Sequence, residues 1–142
     1  MRPIKHLVAS CATGALFYLY SKSVLASLVC FLSGVFIDLD HVFDFYFHYK
    51  RLTLSIKEFY LSCEEYRFDR LFLFFHSLEW ILLLWILIAI FKLNLIWVAF
   101  ALGISLHIVM DMIGNRLFSY AYFFIYRWLK GFRAESLSRD AL

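Results

Sequence analysis

The feature that most constrains the fold is a set of four long apolar segments, each with histidine or carboxylate side chains near one end. These segments cover residues 4–20, 24–37, 71–91 and 95–113. An ionisable group at membrane depth is costly unless it is paired, hydrated or bound to a metal. A chain that carries such groups on four apolar segments is therefore expected to bring them together.

The composition indicates that lipid rather than water surrounds these segments. Hydrophobic residues make up 63% of the 142 residues and aromatic residues 21%, well above the values of soluble domains. A helix needs about 17–25 apolar residues to cross a bilayer; segments 71–91 and 95–113 reach this length, and the first two reach it only with their polar ends. Residues 21–23 and 92–94 are short links. We therefore predict one all-α domain over 1–142, an integral membrane bundle of four transmembrane helices in two antiparallel hairpins.

The distribution of Lys and Arg predicts the orientation of this bundle. Of the 14 Lys and Arg residues, only Lys22 and Lys92 lie in the two short links. Because cytoplasmic loops carry an excess of basic residues, we expect a multi-pass protein of the inner (plasma) membrane with both termini in the cytoplasm. The inner cations would be Arg2, Lys5, Lys50, Arg51, Lys57, Arg67, Arg70, Arg116, Arg127, Lys130, Arg133 and Arg139. The net charge of +3 is too small to indicate nucleic-acid binding.

Helix geometry places the ionisable side chains at one depth. At 1.5 Å per residue, His6, Asp38, His76 and His107 each lie about 20–24 Å from the short link of their own hairpin. This common level is near the cytoplasmic interface, and the outer halves of the segments carry almost no ionisable side chain. The pattern predicts a site on one side of the membrane.

The residue types at this level are ligands of divalent metals. His107 and Asp111 are four residues apart and His76 and Glu79 three, so each pair would share a helical face. Asp40 or Glu79 would be a bridging ligand, an orienting residue or the general base. We predict a divalent metal, with Zn²⁺ as the expected ion, held by a subset of six residues: His6, Asp38, His41, His76, His107 and Asp111.

Other parts of the chain allow simpler interpretations. Residues 52–63 and 117–132 are predicted as helices lying in the membrane surface, and the polar tail 133–142 is expected to fray. Asp44 is expected either to belong to the site or to cap the second helix. Scattered cysteines in odd number predict buried thiols rather than a disulfide framework: Cys11, Cys30 and Cys63.

Three short motifs carry a resemblance to a known family: residues 34–41 (GVFIDLDH), 76–77 (HS) and 103–111 (GISLHIVMD). They resemble the small membrane-bound, metal-dependent hydrolases of the LexA-regulated inner-membrane type. Their order and spacing resemble the family pattern of an early His, a Pro-Asp-x-Asp-His run after the second span, a Thr-His-Ser and a His-x3-Asp. Ile37 stands where the family has Pro, and Phe75 stands where it has Thr. Neither departure removes a ligand.

The resemblance implies a metal-dependent hydrolase of a bacterial-type inner membrane. The family is distantly similar to zinc-dependent phospholipase C and related nucleases, which use His-x3-Asp and His-x3-Glu pairs around zinc. This kinship implies phosphoester chemistry by analogy. At headgroup level, metal-activated water would act on a phospholipid, a lipid phosphate or a similar amphiphilic phosphoester at the cytoplasmic face. Membrane lipids would be the partners, and no nucleic acid.

Non-enzymatic functions also fit the sequence. Intramembrane carboxylates and histidines form ion and proton relays, so the chain is alternatively a metal-binding ion carrier or a structural subunit. A carrier needs polar groups along the whole crossing, which residues 17–20, 24–30, 81–91 and 95–102 do not supply. A catalytically inactive scaffold is the third possibility.

Overall fold

The computed structural model describes residues 3–64 and 68–139, and within these ranges the chain is helical with no β-strand. This confirms the all-α prediction. The α-helices are α1 (Pro3–Ser21), α2 (Val24–Phe36), α3 (Asp40–Tyr49), α4 (Ile56–Glu64), α5 (Leu78–Phe91), α6 (Leu95–Gly114) and α7 (Phe124–Leu129). Short 3₁₀ turns cover Ile37–Leu39, Ser119–Tyr122 and Ala134–Ser136.

Two of the described helical stretches are long and apolar enough to cross a membrane. Val24–Tyr49 has 26 residues with a mean hydropathy of 1.7, and Leu95–Gly114 has 20 residues with a mean hydropathy of 2.0. Leu78–Phe91 is apolar but shorter. The fold therefore contains two candidate spans by length and composition.

The two predicted short links are tight turns between helices. Lys22 and Lys92 adopt left-handed backbone conformations, with φ of +55° and +48°. Ser23 begins α2 by accepting the N–H of Ala26, and Asn94 begins α6 by accepting the N–H of Ile96. Side chains of these types at a helix start satisfy backbone donors that lack an intrahelical partner, so each turn leads directly into the next helix.

The structure corrects two predicted segment boundaries. The second segment does not end at residue 37, because the Ile37–Leu39 turn continues the helical path into α3 as far as Tyr49. The third segment becomes helical only at Leu78, and residues 71–77 are irregular. His76 consequently lies on a loop rather than on a helix, so its predicted pairing with Glu79 on one helical face is wrong.

Small residues let α1, α2 and α6 approach closely. A Cβ atom added to Gly103 of α6 would collide with Ser33 Oγ and the carbonyl oxygen of Cys30 on α2. A Cβ atom added to Gly34 would lie 2.6 Å from Ser10 Oγ on α1. Glycine is required at both positions because the neighbouring atoms leave no space for a side chain.

The chain after α6 folds back onto the bundle. Leu117 and Leu137 are fully buried, and Leu117 forms an isolated β-bridge with Ser138. The prediction of a frayed tail is thus wrong as far as Arg139, whose backbone N–H donates to Arg116; residues 140–142 lie outside the described ranges. Residues 117–132 contain helical turns, as the prediction of a surface helix requires. Several of their side chains are buried, which that prediction does not explain.

Candidate metal centre

Four of the predicted ligands point their donor atoms at one another. Asp38 lies in the 3₁₀ turn after α2, His76 lies on the loop before α5, and His107 and Asp111 lie on α6. One donor atom from each of the four falls within 4.8 Å of all the others. His76, His107 and Asp111 are buried, whereas Asp38 is one-third exposed.

Five of the six distances between these donor atoms are 3.2–3.8 Å, and the sixth, between Asp38 and Asp111, is within 4.8 Å. Asp38 Oδ1 lies 3.2 Å from His107 Nε2 and 3.5 Å from His76 Nε2. The two Nε2 atoms are 3.4 Å apart, and Asp111 Oδ2 lies 3.5 Å from His107 Nε2 and 3.8 Å from His76 Nε2. A regular tetrahedron with metal–ligand bonds of about 2.0–2.2 Å has edges of about 3.3–3.6 Å. The four residues could therefore hold one metal ion.

Hydrogen bonds on the far side of each imidazole prepare the Nε2 atoms as electron-pair donors. His107 Nδ1–H donates to the carbonyl oxygen of Gly34 at 2.7 Å, and His76 Nδ1–H donates to Asp40 Oδ2 at 3.2 Å. A carbonyl oxygen only accepts, so neutral His107 carries its hydrogen on Nδ1. Metal-binding histidines use this arrangement to fix their tautomer and ring orientation.

His6 lies behind the donor group rather than within it. His6 Nε2 is 2.9 Å from Asp111 Oδ1, and the His6 ring stacks on the His107 ring at 3.9 Å between centroids. Asp111 thus offers one oxygen to the donor group and the other to His6. His6 of α1 therefore contacts Asp111 from outside the four-residue donor group, and its place in the predicted subset of ligands stays a prediction.

The loop that carries His76 is held by carboxylates of α3. Asp40 Oδ2 accepts the backbone N–H groups of Phe75 and His76 at 2.6 and 3.2 Å. Asp44 Oδ1 accepts the N–H of Phe72 at 2.8 Å. Asp40 therefore bonds both the backbone and the ring of His76, and its three predicted roles stay predictions. Asp44 holds the loop rather than capping a helix.

His41 and Glu79 stand outside the four-residue donor group. His41 Nε2 lies 3.8 Å from Asp38 Oδ1, at the edge of the group, and its Nδ1 is buried without a hydrogen-bond partner. Glu79 accepts the N–H groups of Phe124 and Ile125 at the start of α7. The structure therefore shows Glu79 bonded to the start of α7, and its predicted part in the reaction stays a prediction.

Arg127 is the residue of this region that the sequence argument misread. Counted there as an inner-face surface cation, it is fully buried. Burial lowers its pKa to about 10, while the carboxylates of Asp40 and Glu79 favour the charged form, so Arg127 is protonated at neutral pH. The one sequence signal for its burial is its position between Tyr126 and Trp128 in an aromatic stretch. Arg2 and Arg67, counted in the same set, lie outside the described residues.

A cavity of about 620 Å³ reaches the donor group. Asp38, His76 and Asp111 line one part of it, and Lys5 and Arg116 line it as well. The remaining wall is mainly apolar and includes Phe59, Leu71, Leu73 and Leu117. The cavity combines a candidate metal centre, two cations and an apolar surface, and its volume is typical of small-molecule sites.

The cysteines provide no competing site. All three are free, and Cys30 is buried as predicted, whereas Cys11 is exposed. Cys63 lines the cavity. Burial raises the pKa of Cys63 to about 12, so it is protonated at neutral pH and is not an activated nucleophile.

Comparisons with known proteins identify no relative of the chain. No family model matches the chain, no curated protein matches it, and no solved structure matches it. Within residues 3–64 and 68–139, the fold and the site are those of an all-helical protein with two candidate membrane spans and an Asp/His group that could hold a metal ion.

Proposed function

We propose that the protein is a membrane-bound, metal-dependent hydrolase that acts on an amphiphilic phosphoester, such as a phospholipid or a lipid phosphate. The cavity carries this proposal, because one space is lined by three of the four candidate metal ligands, by Lys5 and Arg116 and by apolar side chains. A water-soluble substrate would not need the apolar wall, and an uncharged lipid would not need Lys5 and Arg116. The resemblance of residues 34–41, 76–77 and 103–111 to membrane-bound hydrolases supports the same class.

The metal proposed for the centre is Zn²⁺. Two imidazole nitrogens and two carboxylate oxygens close together suit Zn²⁺, whereas Mg²⁺ and Ca²⁺ prefer six or more oxygen ligands. When bound, the ion supplies Lewis acidity toward a phosphoryl oxygen and activates water near neutral pH. Asp38 is the donor residue at the open side of the centre, because it is one-third exposed while the other three are buried.

Residues around the centre have separate parts in the proposed reaction. Asp40 and the Gly34 carbonyl group hold the two imidazoles in the tautomer that presents Nε2. His6 holds Asp111. Lys5 and Arg116 attract the anionic group of the substrate, at about 1 kcal/mol each near a membrane surface. The apolar wall receives the hydrocarbon part of the substrate.

The membrane arrangement proposed with this function keeps four spans and cytoplasmic termini. In this arrangement α1 forms a hairpin with the span Val24–Tyr49, and α5 forms a hairpin with the span Leu95–Gly114. The donor group lies at the level of the cytoplasmic headgroups. A reporter fused after Leu142 is expected to be active only in the cytoplasm. Activity of that fusion outside the cytoplasm would move the site to the other leaflet.

One observation favours a second function, a non-enzymatic metal site. Four protein donors within 4.8 Å of one another resemble closed structural sites, whereas catalytic zinc sites keep a position open. In this case the ion would stabilise the fold or be carried. The exposure of Asp38 toward the cavity favours the hydrolase over this alternative.

The test is metal analysis of the full chain purified in lipid without chelators, followed by hydrolysis assays on a panel of phospholipids and lipid phosphates. We expect at least one divalent ion per chain and activity that chelation removes. Asp38→Ala and His76→Ala should abolish both, whereas His48→Ala, which changes a histidine beside the exposed Asp69, should retain both. Stoichiometric metal with no hydrolysis would favour the structural site, and metal flux into vesicles would favour the carrier.

A further inference from the structure

Arg127 of α7 makes its hydrogen bonds to the segment that carries His76. Its Nη1 donates to the carbonyl oxygens of Ala121 at 2.6 Å and His76 at 3.2 Å. Its Nη2 donates to the carbonyl oxygen of Leu73 at 2.8 Å and to Ser77 Oγ at 2.6 Å. Three of these four acceptors belong to residues 73–77. The guanidinium is therefore hydrogen-bonded to the loop both before and after the turn that leads to His76.

Burial of a charged side chain is expensive unless hydrogen bonds and opposite charges offset it. Arg127 is fully buried, and its Nε atom has no hydrogen-bond partner. Its planar fork of donors can bond two carbonyl groups at fixed positions, which an ammonium group cannot reproduce. The cost of burying Arg127 is explained if the protein needs the backbone geometry that the Arg127 hydrogen bonds impose on residues 73–77.

The loop has little regular support: the Leu71 N–H donates to the carbonyl oxygen of Phe132, and the His76 N–H also reaches the carbonyl oxygen of Leu73. Its backbone lies outside any helix, and the N–H groups of Phe72, Phe75 and His76 are bonded by carboxylates of α3. Arg127 bonds the carbonyl groups of the same loop. Asp40 and Arg127 thus hold the backbone of His76 through opposite polar groups, one through its N–H and the other through its carbonyl oxygen.

We propose that Arg127 is a positioning residue for the candidate metal centre and fixes His76 Nε2 within coordination distance of the other three donor atoms. This inference rests on the metal centre of the proposed function, but not on hydrolysis. It makes the segment after α6 part of the centre, although that segment supplies none of the four donor atoms. Loss of the Arg127 fork lets the His76 carbonyl group, and with it the imidazole, leave its place.

The experiment measures Zn²⁺ affinity of the full chain in lipid by competition with a chromophoric chelator, together with the visible absorption of the Co²⁺ form. Arg127→Gln is expected to weaken Zn²⁺ binding 10- to 100-fold, the range found for residues that orient metal ligands, and to change the Co²⁺ spectrum. Arg127→Lys should show a smaller loss because it keeps the charge without the fork. Ser77→Ala should shift affinity in the same direction.

Arg70→Gln is the matched control. It removes an exposed guanidinium close to the same loop and should leave affinity and spectrum unchanged. If folded Arg127→Gln binds Zn²⁺ within twofold of the parent with an unchanged Co²⁺ spectrum, the proposal is overturned even if the melting temperature falls. If Arg127→Gln does not fold, unchanged affinity in both Arg127→Lys and Ser77→Ala overturns it.

The parent protein separates this proposal from the proposed function. A parent that binds Zn²⁺ but hydrolyses nothing overturns the hydrolase and leaves the role of Arg127 to be decided by the variants. A parent that binds neither Zn²⁺ nor Co²⁺ overturns the metal centre and the positioning role together.

Discussion

The two halves of the candidate centre are positioned by different physical means. His107 and Asp111 lie on α6, whose backbone is pressed against α2 at Gly103. His76 lies on an irregular loop that is held by charged side chains of α3 and α7. The helical half is fixed by close packing, and the loop half is fixed by hydrogen bonds from side chains to backbone.

The difference determines what each half tolerates. Closely packed backbones are sensitive to added volume, because an inserted methyl group has no space and the helices must shift. A loop held by buried polar groups is sensitive to lost charges and donors, because each lost partner leaves a buried group unsatisfied. Added volume should therefore disrupt the helical half, and changes of charge should disrupt the loop half.

The largest effect is expected from added volume at the α2–α6 contact. Gly103→Ala should lower the free energy of unfolding by about 3 kcal/mol or more, since overpacking typically costs about 1–3 kcal/mol and a backbone carbonyl group is among the colliding atoms. The same shift moves Gly34 away from His107 and should reduce bound metal. Thermal unfolding in detergent and metal content per chain would measure both.

Gly14→Ala is the control for this prediction. A Cβ atom at Gly14 would lie 3.2 Å from Phe31 Cβ, a tight contact that the gain in helix propensity of up to about 1 kcal/mol partly offsets. Stability within about 1 kcal/mol of the parent is expected. Equal losses for the two variants would show that the α2–α6 contact has no special sensitivity to volume.

The next largest effect concerns charge in the loop half. Asp40→Asn should weaken Zn²⁺ binding about 10- to 100-fold, because the amide is a poorer acceptor for His76 Nδ1–H and for the loop N–H groups. Chelator competition measures the change. Asp69→Asn, at an exposed carboxylate beside His48, should bind like the parent. If Asp40→Asn also binds like the parent, the loop half does not depend on this charge.

The helical half was also the half that the sequence predicted better. Periodicity placed His107 and Asp111 on one helical face, and helix rise brought Asp38 to the same depth, because these inferences need only regular geometry. The loop half failed where geometry is irregular. Treating 71–91 as one helix paired His76 with Glu79, whereas the structure turns His76 toward α6 and Glu79 toward α7.

The contacts that the sequence missed join distant parts of the chain. Arg127 lies about 50 positions from the loop residues that it bonds, and a count of basic residues could only place it at a membrane surface. The acceptor of His107 Nδ1–H is a backbone carbonyl group, which no residue type reveals. Short motifs therefore indicate the donors of a site, while residues that orient donors depend on tertiary contacts.

A smaller effect is expected at Lys5 and Arg116, the cations that line the cavity. Lys5→Gln and Arg116→Gln should each raise the KM for an anionic lipid substrate about fivefold with little change in kcat, which corresponds to about 1 kcal/mol per charge. Lys22→Gln changes a cation of the predicted outer link and should leave KM unchanged. A fall in kcat at constant KM would contradict a role in substrate attraction and place these cations in the chemical step.

The smallest effect is expected where the loop half meets α7 away from the donor atoms. Glu79→Gln keeps one acceptor for the α7 N–H groups but loses the negative charge, which should lower the free energy of unfolding by about 0.5–1 kcal/mol, as for other changes of capping residues. Glu135→Gln, at an exposed glutamate in the Ala134–Ser136 turn, should have no measurable effect on stability. Metal content and hydrolysis should persist in both variants, because Glu79 lies outside the donor group. If Glu79→Gln keeps its metal but loses hydrolysis, Glu79 of α5 acts in the reaction and does not only support α7.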